Sequence, residues 1–426
     1  MEVTQYQYTE EYAQNMDRND PLKHLQDRFY YPAVDGKPAI YLCGNSLGLQ
    51  PKTVKDYLQK ELDNWAEKAV DGHFHGEDPW YGARLKSKPI LSQIVGAKEH
   101  EVVAMNNLSS NLHFLMVSFY QPTDKRFKII TEAGAFPSDM YMLETQIKFH
   151  GYDPREAIIE IYPREGEHTL RTEDILDQIK AHHDDLALVM MAGLQYYTGQ
   201  VFDMAAITKA GHDAGAKVGF DLAHAAGNAP LSLHNWGVDF ATWCSYKYLN
   251  SGPGNISGIF VHERHADNPD LPRFAGWWGH DEKERFKMEK GFKPMYVADG
   301  WQVANTNVLA LAAHQAALEL FEEAGMDRLR KKSELLTGYL EFLIKQTNSD
   351  VLEIITPNNP NERGCQLSLL VHKGGKDVFD EFYKNGIVGD WRHPNVIRVA
   401  PIPMYNSFMD VFKFAKILEQ ALHKFV

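Results

Sequence analysis

The chain has 426 residues and a formal net charge of −13, with 44% hydrophobic and 24% charged residues. This length suggests roughly two or three domains, and the composition is that of an ordinary globular protein. The acidic balance lacks the positive field that phosphate backbones require, so we expect no nucleic-acid partner.

Regular elements are predicted from about residue 52 onward. Apolar residues recur three or four positions apart over residues 52–69, which predicts a helix. Asp203 is predicted to cap a further helix that Gly215 ends. Short apolar runs typical of buried strands lie at residues 186–191, 217–220, 240–244 and 258–261. Strands that alternate with helices predict an α/β fold with a mostly parallel sheet.

The pattern changes in the last quarter of the chain. Thr306 is predicted to cap a helix that Gly325 ends. Further helices are predicted at residues 329–344, 377–383 and 408–422, and strands at 366–371 and 396–399. We therefore predict an N-terminal segment (1–50), a large α/β domain (51–310) and a smaller C-terminal α+β domain (311–426).

Cys43, Cys244 and Cys365 are the only cysteines, and their spacing matches neither a metal site nor a disulfide framework. So few cysteines favour a reducing compartment. The first 21 residues lack a signal-peptide pattern, and no apolar run approaches the roughly 20 residues that span a bilayer. We expect a cytoplasmic protein that binds no metal and contacts no membrane.

Two polar residues follow strands of the predicted sheet. Asp221 comes directly after the run 217–220, with His224 three residues later, and Lys247 lies just past the run 240–244. Ligands of open α/β sheets bind beyond the carboxyl ends of the strands. A helix-capping aspartate beside a core histidine, or a lysine whose stem packs on the surface, would give the same local patterns.

Together, Asp221 and Lys247 are more specific than either alone. A buried carboxylate can hold a protonated pyridine nitrogen and keep the ring cationic, so that the ring accepts electrons. An amine in a desolvated pocket can form a Schiff base. The two residues therefore predict a site for pyridoxal 5′-phosphate (PLP), with Lys247 bonded to the cofactor's C4′.

Other segments offer the remaining parts of such a site. The polar run 106–111 opens an apolar, helix-like run at 112–119, and the N–H groups of a helix start favour an anion such as phosphate. A simple helix cap would look the same. Phe136 could place its ring against the cofactor face, although it could equally be one buried ring in a turn. Arg398 has apolar neighbours, so its guanidinium could bind a substrate carboxylate or form an internal ion pair.

Several segments, in this order, resemble those of the kynureninase family. They are residues 42–51 (LCGNSLGLQP), 136–139 (FPSD), 197–200 (YTGQ), 219–224 (GFDLAH), 245–250 (SYKYLN), 276–280 (GWWGH) and 398–401 (RVAP). The resemblance extends from about residue 25 to the C-terminus. It implies PLP fold type I, a homodimer with shared active sites, and hydrolysis of L-kynurenine or L-3-hydroxykynurenine. The products would be anthranilate or 3-hydroxyanthranilate and L-alanine.

The resemblance also implies a set of roles. Lys247, Tyr246 and Asp221 would be catalytic, and Ser46, His73, Asn305 and Arg398 would bind substrate. The cofactor would contact Leu108, Ser109, Phe136, Pro137, Ser138, Asp139, Asp221, His224, Tyr246, Lys247, Trp277 and Asn305. Trp277 and Asn305 would reach across the subunit interface. His73 and Asn305 resemble the family members that favour the 3-hydroxylated substrate.

Two alternatives differ in chemistry. Another PLP enzyme of the same fold, such as a cysteine desulfurase or an aminotransferase, commonly has histidine just before the lysine, whereas this chain has Tyr246. A desulfurase would also need a nucleophilic cysteine on a mobile loop, and Cys365 is the only late candidate. A binding protein that kept the fold without catalysis is the second alternative.

Overall fold

The computed structural model describes residues 5–266, 268 and 270–425. The α-helices are α1 (Glu10–Arg18), α2 (Val54–Lys68), α3 (Lys88–Val95), α4 (Leu108–Phe119), α5 (Pro137–Phe149), α6 (Pro154–Ala157), α7 (Thr172–Ala181), α8 (Met204–Asp213), α9 (Leu233–Trp236), α10 (Val308–Ala324), α11 (Met326–Lys345), α12 (Gly375–Lys384) and α13 (Phe408–Phe425). The strands are β1 (Phe29–Tyr30), β2 (Ala33–Val34), β3 (Lys37–Pro38), β4 (Ile40–Tyr41), β5 (Gln50–Pro51), β6 (Val102–Ala104), β7 (Lys128–Glu132), β8 (Ile158–Ile161), β9 (Leu186–Ala192), β10 (Lys217–Asp221), β11 (Phe240–Trp243), β12 (Gly258–Val261), β13 (Leu352–Ile354), β14 (Leu367–Val371), β15 (Ile387–Val388), β16 (Asp390–Arg392) and β17 (Val396–Val399).

A seven-stranded sheet forms the centre of the large unit, in the order β6-β12-β11-β10-β9-β7-β8. Only β12 runs antiparallel to its neighbours, so the predicted α/β class with a mostly parallel sheet is confirmed. The four strands predicted from apolar runs are β9, β10, β11 and β12. Their side chains are buried on both faces because helices cover the sheet from each side, which is why the strands have no polar alternation.

The parallel register brings the carboxyl ends of four strands to one edge. Asp221 at the end of β10 is level with Ala192 on β9 and with Thr242 on β11. Strand β7 ends at Glu132, on the far side of β9. Side chains at these ends, and in the loops that follow them, therefore meet at this edge.

The C-terminal unit contains an antiparallel sheet in the order β13-β14-β17-β16. Helices α11, α12 and α13 bury their apolar faces in its core, together with Ala13 and Met16 of α1. The N-terminal strand β4 pairs in parallel with β15, which joins the start of the chain to this unit. The predicted α+β character of the last quarter is confirmed.

Helix α10 begins one residue later than predicted. The side chain of Asn307 accepts a hydrogen bond from the N–H of Ala310 at 3.1 Å, so Asn307 is the cap and the prediction of Thr306 was wrong. Leu311, Leu318 and Phe321 of α10 lie in the core of the large unit. The domain division at residues 50 and 310 stays a prediction. Among the described residues, no helix has both the length and the apolar character needed to cross a bilayer.

Candidate active site

A cavity of about 390 Å³ lies at the carboxyl edge of the large sheet. Ten of the residues predicted from the sequence line it: Ser46, Leu108, Ser109, Phe136, Ser138, Asp139, Asp221, His224, Tyr246 and Lys247. A larger cleft of about 930 Å³ opens elsewhere, between residues 167–173 and 354–363, but it contains none of the predicted site residues. The chemistry of the side chains, not the size of the space, identifies the candidate site.

Lys247 and Asp221 reach the cavity from neighbouring parallel strands. Strand β10 ends at Asp221, and β11 ends at Trp243, four residues before Lys247. The Nζ atom of Lys247 lies 3.0 Å from Nε2 of His224, and Oδ1 of Asp221 accepts a hydrogen bond from the N–H of Ala223 at 2.7 Å. The strand register thus brings an amine and a carboxylate to one cavity.

His224 is buried beside Lys247. Burial, and then the positive charge of Lys247, holds the pKa of His224 well below its usual range, so the imidazole is neutral. Its Nδ1 atom is buried and has no hydrogen-bond partner among the described residues. A buried ring nitrogen without a partner is uncommon in a finished core, and it indicates that this wall receives a polar group from a ligand.

Three buried carboxyl groups lie together: Asp221, Asp139 and Glu132. Burial raises the pKa of Asp221, and burial together with the neighbouring Asp221 raises that of Asp139 well above its usual value. Burial raises the pKa of Glu132 to about 7, although the N–H of Ala192 donates to its carboxylate. Such a cluster favours a cation placed among its members.

Phe136 immediately precedes helix α5 and lines the cavity. Pro137 is the first residue of α5, where its fixed φ suits a helix start and its missing N–H costs nothing. The Phe136 ring is 40% exposed, meets Tyr196 edge-on at 5.1 Å and lies 5.8 Å from Nζ of Lys247. Its free face is therefore available to a flat ligand near Lys247.

Helix α4 begins at the cavity, and it includes the predicted run 112–119 but starts four residues earlier, at Leu108. The Asn107 side chain accepts from the N–H of Ser110 at 3.0 Å, which leaves the N–H groups of Leu108 and Ser109 at the helix start without a helical acceptor. The buried Asn111 side chain donates to the Met105 carbonyl at 2.9 Å and fixes this turn. Two N–H groups and the positive end of the helix dipole are thus directed at the cavity.

Tyr246 lines the cavity beside Lys247. Burial raises the pKa of its phenol, so the hydroxyl keeps its proton. Its backbone carbonyl accepts a hydrogen bond from the N–H of Gly48 at 2.8 Å. This bond joins the lysine loop to the N-terminal segment that carries Ser46.

Arg398 does not line the cavity. Its side chain is fully buried behind the wall, and it donates to Asp390 at 2.6 Å, to the Tyr196 carbonyl at 2.8 Å and to Ser46 Oγ at 3.2 Å. The internal ion pair left open by the sequence is therefore present. Ser46, whose hydroxyl also donates to Asp390, lies between this arginine and the cavity.

Four other predicted residues do not line this cavity; Pro137, the first of them, is the first residue of α5 and lies between Phe136 and Ser138, which do. His73 packs edge-on against Trp80 at 5.2 Å, and Trp277 is 44% exposed and contacts Phe286. Asn305 is exposed ahead of α10. The resemblance had placed Trp277 and Asn305 in a partner subunit's site, and their exposure leaves them available for that.

Sequence reasoning missed several residues of the site. Glu132 follows the short apolar run of β7, a signal of the same kind that identified Asp221. Tyr196 and Arg392 line the cavity. Asp390 does not line it but forms the ion pair with Arg398. Asp390 and Arg392 alternate on a three-residue strand, which is too short to be recognised from its pattern.

Solved structures define the class of fold. A cysteine desulfurase from Thermococcus onnurineus superposes with a TM-score of 0.73 at 18% sequence identity, covering 96% of this chain and 98% of that chain. One from Escherichia coli gives a TM-score of 0.74 at 15% identity, covering 95% and 99%. The predicted architecture, PLP fold type I, is therefore confirmed.

Sequence comparisons then give the family. The "Kynureninase C-terminal domain" profile matches residues 329–418. The chain is 55% identical to the kynureninase of Flavobacterium johnsoniae over 420 residues, covering 98% of this chain and 99% of the relative. It is 48% identical to the human kynureninase, covering 97% and 93%. The chain belongs to the kynureninase family, as its motifs predicted.

Proposed function

We propose that this protein uses PLP to hydrolyse L-kynurenine and L-3-hydroxykynurenine to anthranilate or 3-hydroxyanthranilate and L-alanine. Membership of the family over nearly the whole chain supports this activity. The structural observation that carries it is the meeting of Lys247 and Asp221 in one cavity, from the ends of neighbouring strands.

The residues of the cavity fit PLP. The cluster of Asp221, Asp139 and Glu132 suits a protonated ring nitrogen, because each pKa is raised in the absence of a cation. The free N–H groups at the start of α4 suit the phosphate. The unpartnered Nδ1 of His224 suits a polar ring substituent. Lys247 is the lysine that lines this cavity among the described residues.

Each of these residues would have a defined task. Bound there, PLP would supply an electron-accepting ring conjugated to the substrate's amino nitrogen. Asp221 would hold the proton on the ring nitrogen, and Phe136 would stack on the exposed ring face. Lys247 Nζ would take the proton from the substrate Cα and return protons later, with His224 at 3.0 Å holding the amine in place. Tyr246 would touch the phosphate.

Arg398 and Ser46 would bind the substrate's α-carboxylate. Arg398 already directs one donor at Ser46 Oγ, which lies on the cavity wall. A guanidinium neutralised by Asp390 keeps its fork in a fixed orientation. The carboxylate would thus be bound by the Ser46 hydroxyl, in place of its present hydrogen bond to Asp390, with Arg398 donating to Ser46 from the buried side.

We further propose a cytoplasmic homodimer with shared active sites. The exposed ring of Phe286 contacts the exposed rings of Phe74 and Trp277, and the three offer an apolar surface for a second copy. The free cysteines support a reducing compartment. Mixing a Lys247→Ala protein with an Asn305→Ala protein tests the sharing, because hybrid dimers would rebuild one intact site and regain activity. Independent sites would give no recovery on mixing.

The desulfurase alternative is not favoured. Cys365 is 1% exposed, and burial raises the pKa of its thiol to about 12. A nucleophilic cysteine needs thiolate character and access to the substrate, and Cys365 has neither.

The test is an activity assay on the PLP-loaded protein with kynurenine and 3-hydroxykynurenine. Fluorescent aromatic acid and L-alanine should form in equal amounts, with the higher kcat/KM for the hydroxylated substrate. The Lys247→Ala protein, as a matched control, should form neither and should lack the visible absorbance of lysine-bound PLP. If the wild-type protein binds PLP but releases no aromatic acid, the proposed activity is refuted. That result would instead support the alternative of a binding protein without catalysis.

A further inference from the structure

Strand register places three charged side chains on one face of the C-terminal sheet. Asp390 on β16 is directly opposite Arg398 on β17. Arg392 is two residues beyond Asp390 on the same strand, so it projects from the same face. This face forms the wall of the cavity next to Ser46 and Tyr196.

Asp390, the one carboxylate of this group, forms its shortest ion pair with Arg398. Asp390 Oδ2 lies 2.6 Å from Nη2 of Arg398 and also accepts from the Ser46 hydroxyl. Although burial works against it, the charge of Arg398 lowers the pKa of Asp390, so the carboxylate stays ionised. Arg398 is buried, and its other donors are bonded to protein oxygens.

Arg392 is in a different position. Its side chain is 35% exposed and lines the cavity, whereas Arg398 is 0% exposed and does not. The Arg392 Nε atom is 3.0 Å from Asp390 Oδ1, yet its N–H is not aimed there and has no acceptor among the described residues. The guanidinium carbon also lies 5.9 Å from the centre of the Tyr196 ring.

The charges of Arg392, Arg398 and Asp390 do not balance. Two guanidinium groups face one carboxylate, so one positive charge remains uncompensated by this group, and the side chain that carries it is the one in contact with the cavity. A guanidinium with an unused donor binds a carboxylate strongly, because its fork matches two carboxylate oxygens.

We propose that Arg392 is a second residue that binds the α-carboxylate of the amino-acid substrate, at the cavity surface and in front of Arg398. The inference rests on the proposed function, since it requires that an amino acid enters this cavity. Asp390 orients Arg392 through a hydrogen bond from Nη2 to Oδ2 at 3.3 Å, and Nη1 of Arg392 has no hydrogen-bond partner among the described residues.

L-Alanine and L-alaninamide provide a test that does not depend on turnover. Both bear the α-amino group, but only L-alanine has the carboxylate. Each is titrated into the PLP-loaded protein, and binding is followed by the change in visible absorbance. Arg392→Gln should weaken L-alanine binding roughly tenfold to hundredfold, the effect of losing a charge-assisted hydrogen bond, and should leave L-alaninamide unchanged. Arg392→Lys, which keeps the charge but loses the fork, should fall between wild type and Arg392→Gln.

Arg264→Gln is the matched control. Its side chain is 36% exposed, close to the 35% of Arg392, and it lies against Asp239, outside the cavity. It should bind both ligands as wild type does. In kynurenine hydrolysis, Arg392→Gln should raise KM with little change in kcat.

The outcomes separate this inference from the proposed function. If wild type hydrolyses kynurenine but Arg392→Gln binds L-alanine as tightly as wild type, Arg392 is only an internal ion-pair partner and the inference fails alone. Equal weakening of L-alanine and L-alaninamide would also overturn it, since the loss would not depend on the carboxylate. If wild type does not hydrolyse kynurenine, the proposed function fails instead.

Discussion

Replacement of Asp221 by asparagine tests the electronic basis of the site. Asparagine has nearly the same shape and can still accept the 2.7 Å hydrogen bond from the Ala223 N–H, but it cannot balance a positive charge. Asp221 is 6% exposed, so solvent screens its interaction with a cationic ring very little. Breaking a buried ion pair costs about 3–5 kcal/mol, which corresponds to a loss of roughly 10²- to 10⁴-fold in kcat/KM.

Glu132→Gln is the control for this prediction. Glu132 belongs to the same buried cluster, but its carboxylate already accepts from the N–H of Ala192, and without a cation burial raises its pKa to about 7. Its amide replacement should therefore reduce kcat/KM less than tenfold. Both proteins should be compared with wild type in steady-state kynurenine hydrolysis, with bound PLP measured by absorbance. Equal losses in the two variants, or full activity in Asp221→Asn, would refute the role of Asp221 as the charge partner.

Three further changes test other parts of the structure. Gly48→Ala would place a Cβ against the Lys247 carbonyl and 2.8 Å from Asn250 Cα, which would displace the loop that carries Lys247. PLP affinity measured by equilibrium dialysis should therefore fall. An unchanged affinity would show that the lysine loop tolerates displacement. Asn107→Ala removes the cap of α4 and should lower stability by about 1 kcal/mol and weaken PLP binding less than tenfold, as measured by denaturant unfolding and dialysis. Burial lowers the pKa of His314 to about 3, so it stays neutral in the fold, and stability present above its unfolded pKa of about 6.5 should be lost as pH falls toward 3. At about pH 5 this loss is about 2 kcal/mol, and between about pH 7.5 and 5 the free energy of unfolding should fall by about 2 kcal/mol less in His314→Gln than in wild type.

The strands of the sheet were predictable because each one is recognisable from the apolar residues of its own short segment. The runs at β9, β10, β11 and β12 are continuous apolar segments, and the structure places them within one residue of the predicted bounds at each end. Continuous apolar character arises only where both faces are covered, so a buried parallel sheet leaves a clear trace in sequence. The meeting of Asp221 and Lys247 followed from their positions after two such strands.

The carboxylate-binding wall could not be predicted in the same way. Arg398 was found because a guanidinium among apolar residues needs a partner, but the sequence did not say which partner. The answer depends on the register between β16 and β17, which places Asp390 opposite Arg398. Register is a tertiary property set by packing, and a strand of three residues contains too little pattern to specify it.

The N-terminal segment connects these two parts of the site. Strand β4 pairs with β15 of the C-terminal unit, and Asn45 donates to Gln366 Oε1 at 2.9 Å. Three residues later, Gly48 donates to the Tyr246 carbonyl of the large unit. Ser46 lies between these two attachments and is bonded to both Asp390 and Arg398. A displacement of the C-terminal unit would therefore move Ser46 against the lysine loop, so substrate binding at Arg392 and proton transfer at Lys247 should not be mechanically independent.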